Sequence, residues 1–402
     1  MILFREDECH LDKLYWNKET QANLQARIDE VIDHTLADKR LAGAVVKVSM
    51  GGDLVYNRAA GFADRENNRP MHEEALFRLA SVSKPIVSTA ALALVSQGRL
   101  QLDDRVDRWL PEFRPRLLNG EAATLTIRHL LTHTAGLTYR FFQEEKGSYE
   151  LAGVSDGMDL ADITLEENLR RLASVPLLYE PGTQWKYSIA TDVLGAVIEK
   201  AANAPLGEAV RSLVTDPLGM SDTGFTAVDP GRLAVAYADD PAEPRRLRDF
   251  DTIPFVEGTA GFRLAPGRAT DATAYPSGGA GMVGSAGDFL KLLETLRKGG
   301  EPLMKEAVVR EMTTNQIGDL PMAFWRGRGF GLGFVLLKDP VAAATPESPG
   351  TWRMGGTYGH SWFVDPSKQL SVVAFTNTAL EGMSGKFTTD LTEAVYAGIR
   401  ES

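Results

Sequence analysis

The chain has 402 residues, 44% of them hydrophobic and 24% charged, proportions typical of a globular protein with a sizeable buried core. Its formal net charge of −11 disfavours nucleic acid and anionic membranes as partners, since both bind a basic face. The single cysteine, Cys9, and the lack of a secretory leader or a long apolar run indicate a cytoplasmic protein without disulfides or membrane spans.

The first part of the chain is predicted to form a helix followed by a β-hairpin. Residues 21–39 carry apolar side chains at helical spacing. Residues 42–50 and 54–61 are valine-bearing runs, and the glycines Gly51 and Gly52 lie between them. Two apolar runs joined by a Gly-Gly turn are typical of a hairpin.

The run FRLASVSKP at residues 77–85 contains the first candidate for chemistry. A helical pattern follows it over residues 86–97, so Ser81 is predicted in the first turn and Lys84 three residues later. Residues i and i+3 share a helix face, which brings the ammonium group within reach of the hydroxyl. A serine becomes a nucleophile when a neighbour takes its proton or a positive field favours its alkoxide. Ser81 is therefore a candidate nucleophile.

The middle of the chain is predicted to be helical and then rich in loops. Thr126 is a plausible N-cap for a short helix and Gly136 a plausible stop. Residues 165–173 and 191–202 have helical periodicity. Residues 222–279 are rich in proline, glycine and aspartate, and a loop of that length either wraps a site or contains short strands.

The last part of the chain returns to strands. Residues 329–337, 361–364 and 370–376 are predicted strands, and residues 386–399 a closing helix. Strands near both ends of the chain predict a single sheet to which both ends contribute.

The predicted fold class is therefore α+β, with two lobes. Residues 1–80 and 280–402 would form an α/β lobe. Residues 81–279 would form a mainly helical lobe inserted into it, with Ser81 at the interface.

A second serine, Ser155, lies in a G-x-S-x-G run, the pattern of the nucleophile elbow of α/β-hydrolases. That elbow needs a buried strand immediately before the serine and a helix immediately after it. Here the preceding residues are polar and interrupted by glycine, and no helix begins until about Leu165. Ser155 is therefore better interpreted as a loop serine.

Two histidines have the spacing of a zinc-binding helix. His129 and His133 are four residues apart, but the chain has no H-E-x-x-H motif and no obvious third ligand. Packed histidines explain them better, and the sequence predicts neither a metal nor another cofactor.

Two further segments are open to two interpretations each. Tyr187 follows a Pro-Gly turn and would be a general base if nearby lysines lowered its pKa, or else a packed aromatic residue. Gly355 and Gly356 enter a predicted strand. A backbone N–H there would complete an oxyanion hole with the N–H of the nucleophile, or the glycines would form a bulge at a sheet edge.

Taken together and in order, these motifs resemble the serine β-lactamase/penicillin-binding-protein superfamily. The resemblance is strongest to its class C branch and, within that branch, to the family VIII carboxylesterases. It extends over residues 42–398 and implies a β-lactamase/transpeptidase-like fold, with an antiparallel sheet flanked by helices, a mainly helical lobe and the active site between them. The segments that carry it are residues 81–84, 129–137, 181–187, 278–282 and 355–356.

The resemblance implies a role for each site residue. Ser81 would be the acylated nucleophile, and Lys84 and Tyr187 would share the proton transfers. The backbone N–H groups of Ser81 and Thr357 would form the oxyanion hole. The residues implied in the substrate pocket are Met354, Gly355, Gly356, Ile189 and His360.

Departures from the family motifs point to the substrate class. Ile189 stands where class C β-lactamases have the asparagine of Y-x-N, and Met354 where they have the lysine of K-T-G. A pocket without that positive charge and amide contact should prefer uncharged acyl substrates. Family esterases often carry tryptophan at the position of Met354, which changes the shape of the acyl pocket.

The sequence therefore predicts a serine carboxylesterase that hydrolyses short-chain carboxylic esters, with a small-molecule ester as its partner. A β-lactamase, D-aminopeptidase or other amide hydrolase, or an acyltransferase, is the alternative within the same fold. A non-catalytic descendant is disfavoured because Ser81, Lys84 and Tyr187 occur together. The oligomeric state stays open.

Overall fold

The computed structural model describes residues 18–400, so Cys9 and the predictions about the first residues lie outside the described part. Within it the helices are α1 (Lys18–Ala37), α2 (Ser83–Ser96), α3 (Val106–Trp109), α4 (Ile127–Leu131), α5 (Ser148–Leu151), α6 (Leu165–Ala173), α7 (Ala190–Ala202), α8 (Leu206–Val210), α9 (Ala286–Arg297), α10 (Glu306–Met312), α11 (Ala379–Ser384) and α12 (Lys386–Arg400). The strands are β1 (Gly43–Met50), β2 (Asp53–Asp64), β3 (Arg69–Pro70), β4 (Leu76–Arg78), β5 (Tyr237–Ala238), β6 (Arg245–Arg246), β7 (Asp251–Ile253), β8 (Phe262–Leu264), β9 (Val283–Ser285), β10 (Arg328–Phe330), β11 (Val335–Leu337), β12 (Trp352–Gly356), β13 (His360–Asp365) and β14 (Leu370–Thr376).

One antiparallel sheet joins the two ends of the described chain. Its eight strands run in the order β10-β11-β12-β13-β14-β1-β2-β3. Strand β1 lies between β2 and β14, with Ala44 opposite Thr376. All of β1 is buried because both faces of the sheet are covered. Val46 and Val48 pack with the helices α1 and α12, whereas Val45 belongs to the main core.

Two predictions for the sheet have different outcomes. The early hairpin is confirmed, since β1 and β2 pair across a turn in which Gly51 and Gly52 have φ of +64° and +104°. The single strand predicted over residues 329–337 is wrong. The chain reverses there and forms β10 and β11, because Gly333 adopts a φ of +115° that favours glycine.

The segment between the two halves of the sheet carries most of the short elements. Helix α6 has the predicted bounds, and Thr126 caps α4, although α4 ends at Leu131, before Gly136. Residues 222–279 contain the two-stranded pairs β5–β6 and β7–β8. The division into an α/β lobe and an inserted helical lobe stays a prediction. No helix of residues 18–400 is long and apolar enough to cross a membrane.

Helix α2 is the central helix of the core. Its residues are buried continuously from Ser83 to Leu94, and it packs against α7. A helix without a solvent-exposed face over three turns is fixed from all sides. The residues at its amino-terminal end therefore have a well-determined position beside the end of β12.

Candidate active site

Ser81 lies in a 3₁₀ turn, Ala80–Val82, that leads directly into α2. It thus precedes the α-helix rather than lying in its first turn. Ala80 has a φ of +44°, in the left-handed region where a side chain is strained by roughly 1 kcal/mol or more. The strain persists because Ala80 is completely buried. This turn presents Ser81, which is half-buried, to a large cavity.

Lys84 lies directly beside the Ser81 hydroxyl. Its Nζ is 3.2 Å from Ser81 Oγ and donates to the Gly279 carbonyl at 2.8 Å. The side chain is completely buried, and burial lowers the pKa of Lys84 from 10.5 to about 7, although the nearby Asp192 and Asp156 oppose the decrease. A substantial fraction of Lys84 is therefore neutral near pH 7 and able to accept a proton.

Tyr187 forms the third side of this cluster. The Lys84 Nζ lies 4.6 Å from the centre of the Tyr187 ring. Burial raises the pKa of Tyr187 above its usual value, and a hydrogen bond with Ser81 offsets only part of the increase. Its hydroxyl therefore stays protonated at neutral pH. A general base would have to be a phenolate, so Tyr187 is better suited to donate and relay protons.

The end of strand β12 brings a second backbone amide to the same wall of the cavity. Gly356 packs so closely on the turn before Ser81 that a Cβ there would lie 2.5 Å from the Leu79 carbonyl oxygen. Thr357 follows Gly356, and both Thr357 and Ser81 line the cavity. The two residues predicted to supply oxyanion-hole amides are thus held together by a contact that only glycine permits.

Replacing Gly356 with alanine should therefore lower kcat for a p-nitrophenyl ester by about 10²-fold, the usual effect of losing one oxyanion donor. The added methyl group would push β12 away from the Ser81 turn and separate the two amides. Steady-state kinetics at a temperature where the variant is folded measure the loss. Gly207→Ala is the control, because a Cβ there meets only Phe225 at an ordinary 3.7 Å. A Gly356→Ala enzyme as active as Gly207→Ala would contradict the prediction.

Asp192, which the sequence did not indicate, holds the loop that contains Ser277 and Gly279. Asp192 Oδ1 accepts hydrogen bonds from the Gly279 amide at 2.7 Å and from the Ser277 hydroxyl at 2.8 Å. These bonds fix the Gly279 carbonyl that accepts from Lys84. Burial raises the pKa of Asp192. The sequence signal that could have indicated its role is its position, since Asp192 is an acidic residue near the otherwise apolar start of the helix predicted over residues 191–202.

The variant Asp192→Asn should move the acid limb of the pH profile of kcat/KM to lower pH. Asparagine retains an oxygen acceptor for Gly279 but removes a negative charge that raises the pKa of Lys84. Lys84 should then lose its proton at a lower pH, so activity persists in more acidic solution. Asp216→Asn, which changes an exposed carboxylate, is the control. An unchanged or upward-shifted limb in Asp192→Asn would contradict the prediction.

The cavity beside Ser81 has a volume of about 880 Å³ and one strongly apolar side. We call this side the aromatic wall. Its rings pack on one another, with centroid distances of 4.6 Å for Tyr139–Phe141 and 4.4 Å for Phe141–Phe262. Phe324 is 66% exposed at the mouth. The aromatic wall consists of Tyr139, Phe141, Phe142, Phe255, Phe262 and Phe324.

The residues predicted for the substrate pocket differ in whether they line this cavity. Met354 and Gly355 line the cavity, but Gly356, Ile189 and His360 do not. Ile189 is completely buried at the start of α7. The His360 Nε2 forms a 2.7 Å hydrogen bond with the Arg78 carbonyl, so the ring supports the backbone before Ser81 instead of facing a substrate.

The rival nucleophile is buried away from the cavity. The Ser155 hydroxyl accepts from Tyr275 Oη at 3.1 Å and from the Gly157 amide at 3.0 Å, and it donates to Asp159. It is 1% exposed and does not line the cavity. Its hydrogen bonds make it a structural residue of the loop.

The two histidines have separate structural contacts. His129 Nδ1 accepts from the Thr126 amide at 3.3 Å and completes the cap of α4. His133 Nδ1 lies 3.1 Å from Ser188 Oγ, and its ring centre is 4.8 Å from that of Tyr187. Over residues 18–400, no three His, Cys, Asp or Glu side chains are grouped so that they could hold a metal ion.

Comparison with known proteins identifies the family of the chain. The beta-lactamase family profile matches residues 28–397. The chain belongs to the beta-lactamase family. This member of the family is 52% identical to Esterase EstB of Burkholderia gladioli over 379 residues, which cover 94% of this chain and 96% of EstB.

Solved structures confirm the β-lactamase/transpeptidase-like fold of this beta-lactamase family chain. EstCE1, a hydrolase with promiscuous acyltransferase activity, matches it with a TM-score of 0.92 at 47% identity, covering 94% of this chain and 99% of EstCE1. Unliganded simvastatin synthase LovD of Aspergillus terreus has the same fold, with a TM-score of 0.73 at 24% identity, covering 94% of this chain and 99% of LovD.

Proposed function

We propose that this beta-lactamase family chain is a serine carboxylesterase that hydrolyses small carboxylic esters through an acyl-enzyme on Ser81. The observation that carries the proposal is the 3.2 Å contact between Lys84 Nζ and Ser81 Oγ, made by a buried lysine whose pKa is lowered to about 7. The similarity to Esterase EstB and to the hydrolase EstCE1 supports it.

In the acylation step, the ester carbonyl oxygen accepts from the Ser81 and Thr357 amides. Neutral Lys84 takes the proton of Ser81 Oγ as Oγ bonds to the carbonyl carbon, and the amides stabilise the resulting oxyanion. When the carbon–oxygen ester bond breaks, Tyr187 gives its proton to the departing alkoxide and takes one from the Lys84 ammonium. The alcohol leaves, Lys84 is neutral again and the acyl group remains on Ser81.

Deacylation repeats these steps with water in place of the alcohol. Tyr187 hydrogen-bonds to the water. As the water oxygen attacks the acyl carbon, the water gives a proton to Tyr187, and Tyr187 passes its own proton to Lys84. Collapse of the tetrahedral intermediate breaks the bond to Ser81 Oγ, which takes the proton back from Lys84. The carboxylic acid product and the starting protonation state result.

The cavity next to Ser81 suits a neutral reacting group. Met354 occupies the position of the family lysine, and the aromatic wall offers apolar surface for an acyl chain or an alcohol. Esters without a charge next to the scissile bond, including short-chain ones, therefore fit this region better than penicillins do. The single cysteine is the reason for proposing that the enzyme acts in the cytoplasm.

Acyl transfer is the second candidate activity, and the aromatic wall favours it. An apolar alcohol that packs on these rings would compete with water for the acyl group on Ser81. The same residues carry out both reactions, because only the acceptor differs.

A phosphonate inhibitor tests the proposed nucleophile. Mass spectrometry of the digested adduct should find the label on Ser81 and none on Ser155. The unlabelled enzyme should hydrolyse p-nitrophenyl butyrate much faster than it opens a chromogenic cephalosporin. Label on Ser155, or rapid cephalosporin opening with negligible ester hydrolysis, would contradict the proposal.

A further inference from the structure

One part of the cavity is polar, in contrast to the aromatic wall. It lies where the cavity meets strand β12 and helix α12, and we call it the polar arm. Guanidinium, hydroxyl and carboxylate groups replace the rings there. The polar arm is lined by Arg328, Arg353, Ser384, Thr388, Thr392 and Glu393.

Two arginines of the polar arm share one buried carboxylate. Arg353 Nη1 is 2.8 Å and Arg328 Nη2 3.4 Å from Glu347 Oε2, which also accepts from the Thr345 hydroxyl at 2.8 Å. The Glu347 side chain is completely buried. Arginine remains charged in proteins, so this group of two cations and one anion keeps an excess positive charge.

Both guanidinium groups retain unused donors. Within residues 18–400, Arg353 donates a hydrogen bond through Nη1, and its other guanidinium nitrogens have no acceptor. Its side chain is 23% exposed and lines the cavity. Arg328 is only 8% exposed, and its Nη1 is buried without an acceptor in the described part of the chain. The Arg328 Nη1 is enclosed by protein, so the donors that an anion in the cavity can reach are those of Arg353.

The charges around the cavity act in the same direction. Its lining contains the cations Lys186, Arg328 and Arg353 and the carboxylate Glu393. With Glu347, which pairs with both arginines, the balance is three cations against two anions. The whole chain, by contrast, has a net charge of −11. A cationic recess in an acidic protein concentrates the field at that recess and attracts anions to it.

We propose that the polar arm binds a carboxylate that the ester substrate carries at a distance from the scissile bond, with Arg353 as its main ligand. The inference rests on the proposed esterase function and specifies its substrate class. Planar guanidinium groups pair with carboxylates through two parallel hydrogen bonds, which fixes the orientation of the ligand. The ester group itself stays in the neutral region beside Met354, so the substrates are half-esters of dicarboxylic acids.

A series of p-nitrophenyl half-esters tests this proposal. The half-esters form a series of increasing dicarboxylic acid chain length, and each is compared with the neutral ω-carboxamide of the same length. At the chain length that reaches Arg353, kcat/KM should favour the carboxylate by about tenfold, the effect of one charge-assisted hydrogen bond. Sodium chloride should reduce this preference by screening it.

Two variants locate the preference. Arg353→Gln should bring the ratio of the two kcat/KM values close to one, and Arg353→Lys should restore part of it. Arg326→Gln removes the same charge from an exposed position two residues before Arg328 and should leave the ratio as in the wild type. A ratio that falls equally in Arg326→Gln would reject Arg353 as the ligand.

The outcomes separate this inference from the proposed function. If the carboxamides are hydrolysed and no chain length shows a preference for the carboxylate, the polar arm does not bind a carboxylate, and the proposed esterase function is unaffected. Failure to hydrolyse either series would refute the polar arm, and failure to hydrolyse p-nitrophenyl butyrate as well would refute the esterase function. The salt dependence of the wild-type preference needs no variant, so the test holds even if Arg353→Gln fails to fold.

Discussion

Replacing Ser81 with alanine should lower kcat/KM for p-nitrophenyl butyrate by at least about 10⁴-fold, as loss of a covalent nucleophile does in other serine hydrolases. The variant removes one oxygen atom from a half-buried side chain at the cavity surface. The fold should therefore be retained, and circular dichroism with a thermal melt will verify it. The phosphonate should then leave no adduct on the protein.

The matched control for this experiment is Ser155→Ala. It removes the same atom from the second candidate serine, where the hydroxyl joins Tyr275, Gly157 and Asp159. We expect this variant to unfold at a lower temperature, because buried partners lose a hydrogen bond, yet to turn over substrate at close to the wild-type rate. If Ser81→Ala keeps its activity while Ser155→Ala loses it, the assignment of the nucleophile is wrong.

Replacing Lys84 with methionine should lower kcat by about 10³-fold, within the range for loss of a general base. Methionine fills similar volume without a proton acceptor. In the wild type, kcat/KM should fall as the pH drops below about 7, because burial lowers the pKa of Lys84 to about 7 and the ammonium cannot accept the Ser81 proton. Lys84→Met should lack this acid limb in its residual activity.

The same pKa shift makes a prediction about stability. Between about pH 7 and 10.5 the unfolded chain carries the Lys84 proton and the folded chain does not. This difference lowers the free energy of unfolding progressively as the pH falls through that window. Denaturant unfolding should therefore show a smaller loss between pH 9 and 7 in Lys84→Met than in the wild type.

Lys47 provides the matched control for Lys84. It is another buried lysine whose pKa burial lowers, but it lies in β1 and donates to Asn57. Lys47→Met should retain both the turnover number and the acid limb. Equal losses of activity in the two variants would indicate that a buried lysine is needed for folding and that Lys84 has no special chemical role.

The parts of the fold and site that the sequence predicted are those set by local spacing. Helix α6 and strand β14 have the predicted bounds because periodicity over a few residues determines them. The approach of Lys84 to Ser81 depends on a separation of three residues. Such relationships are present in the chain before it folds.

The parts that were missed depend on distant contacts. Asp192 holds the amide of Gly279, which is 87 residues away, and no pattern within α7 indicates that partner. Ile189 and His360 are close to the site in sequence, but packing turns their side chains away from the cavity. Which face a residue presents depends on the elements that cover it, and these come from other parts of the chain.

The pairing of β1 with β14 has a consequence for how the protein is made. Ala44 leaves the ribosome more than three hundred residues before its partner Thr376. During that interval one edge of the apolar, valine-rich strand β1 is unpaired. An unpaired strand edge can form hydrogen bonds with other chains and lead to aggregation. Long-range pairing also slows folding. Synthesis at high rate should therefore favour aggregation, and lower temperature or added chaperones should increase the yield of active enzyme.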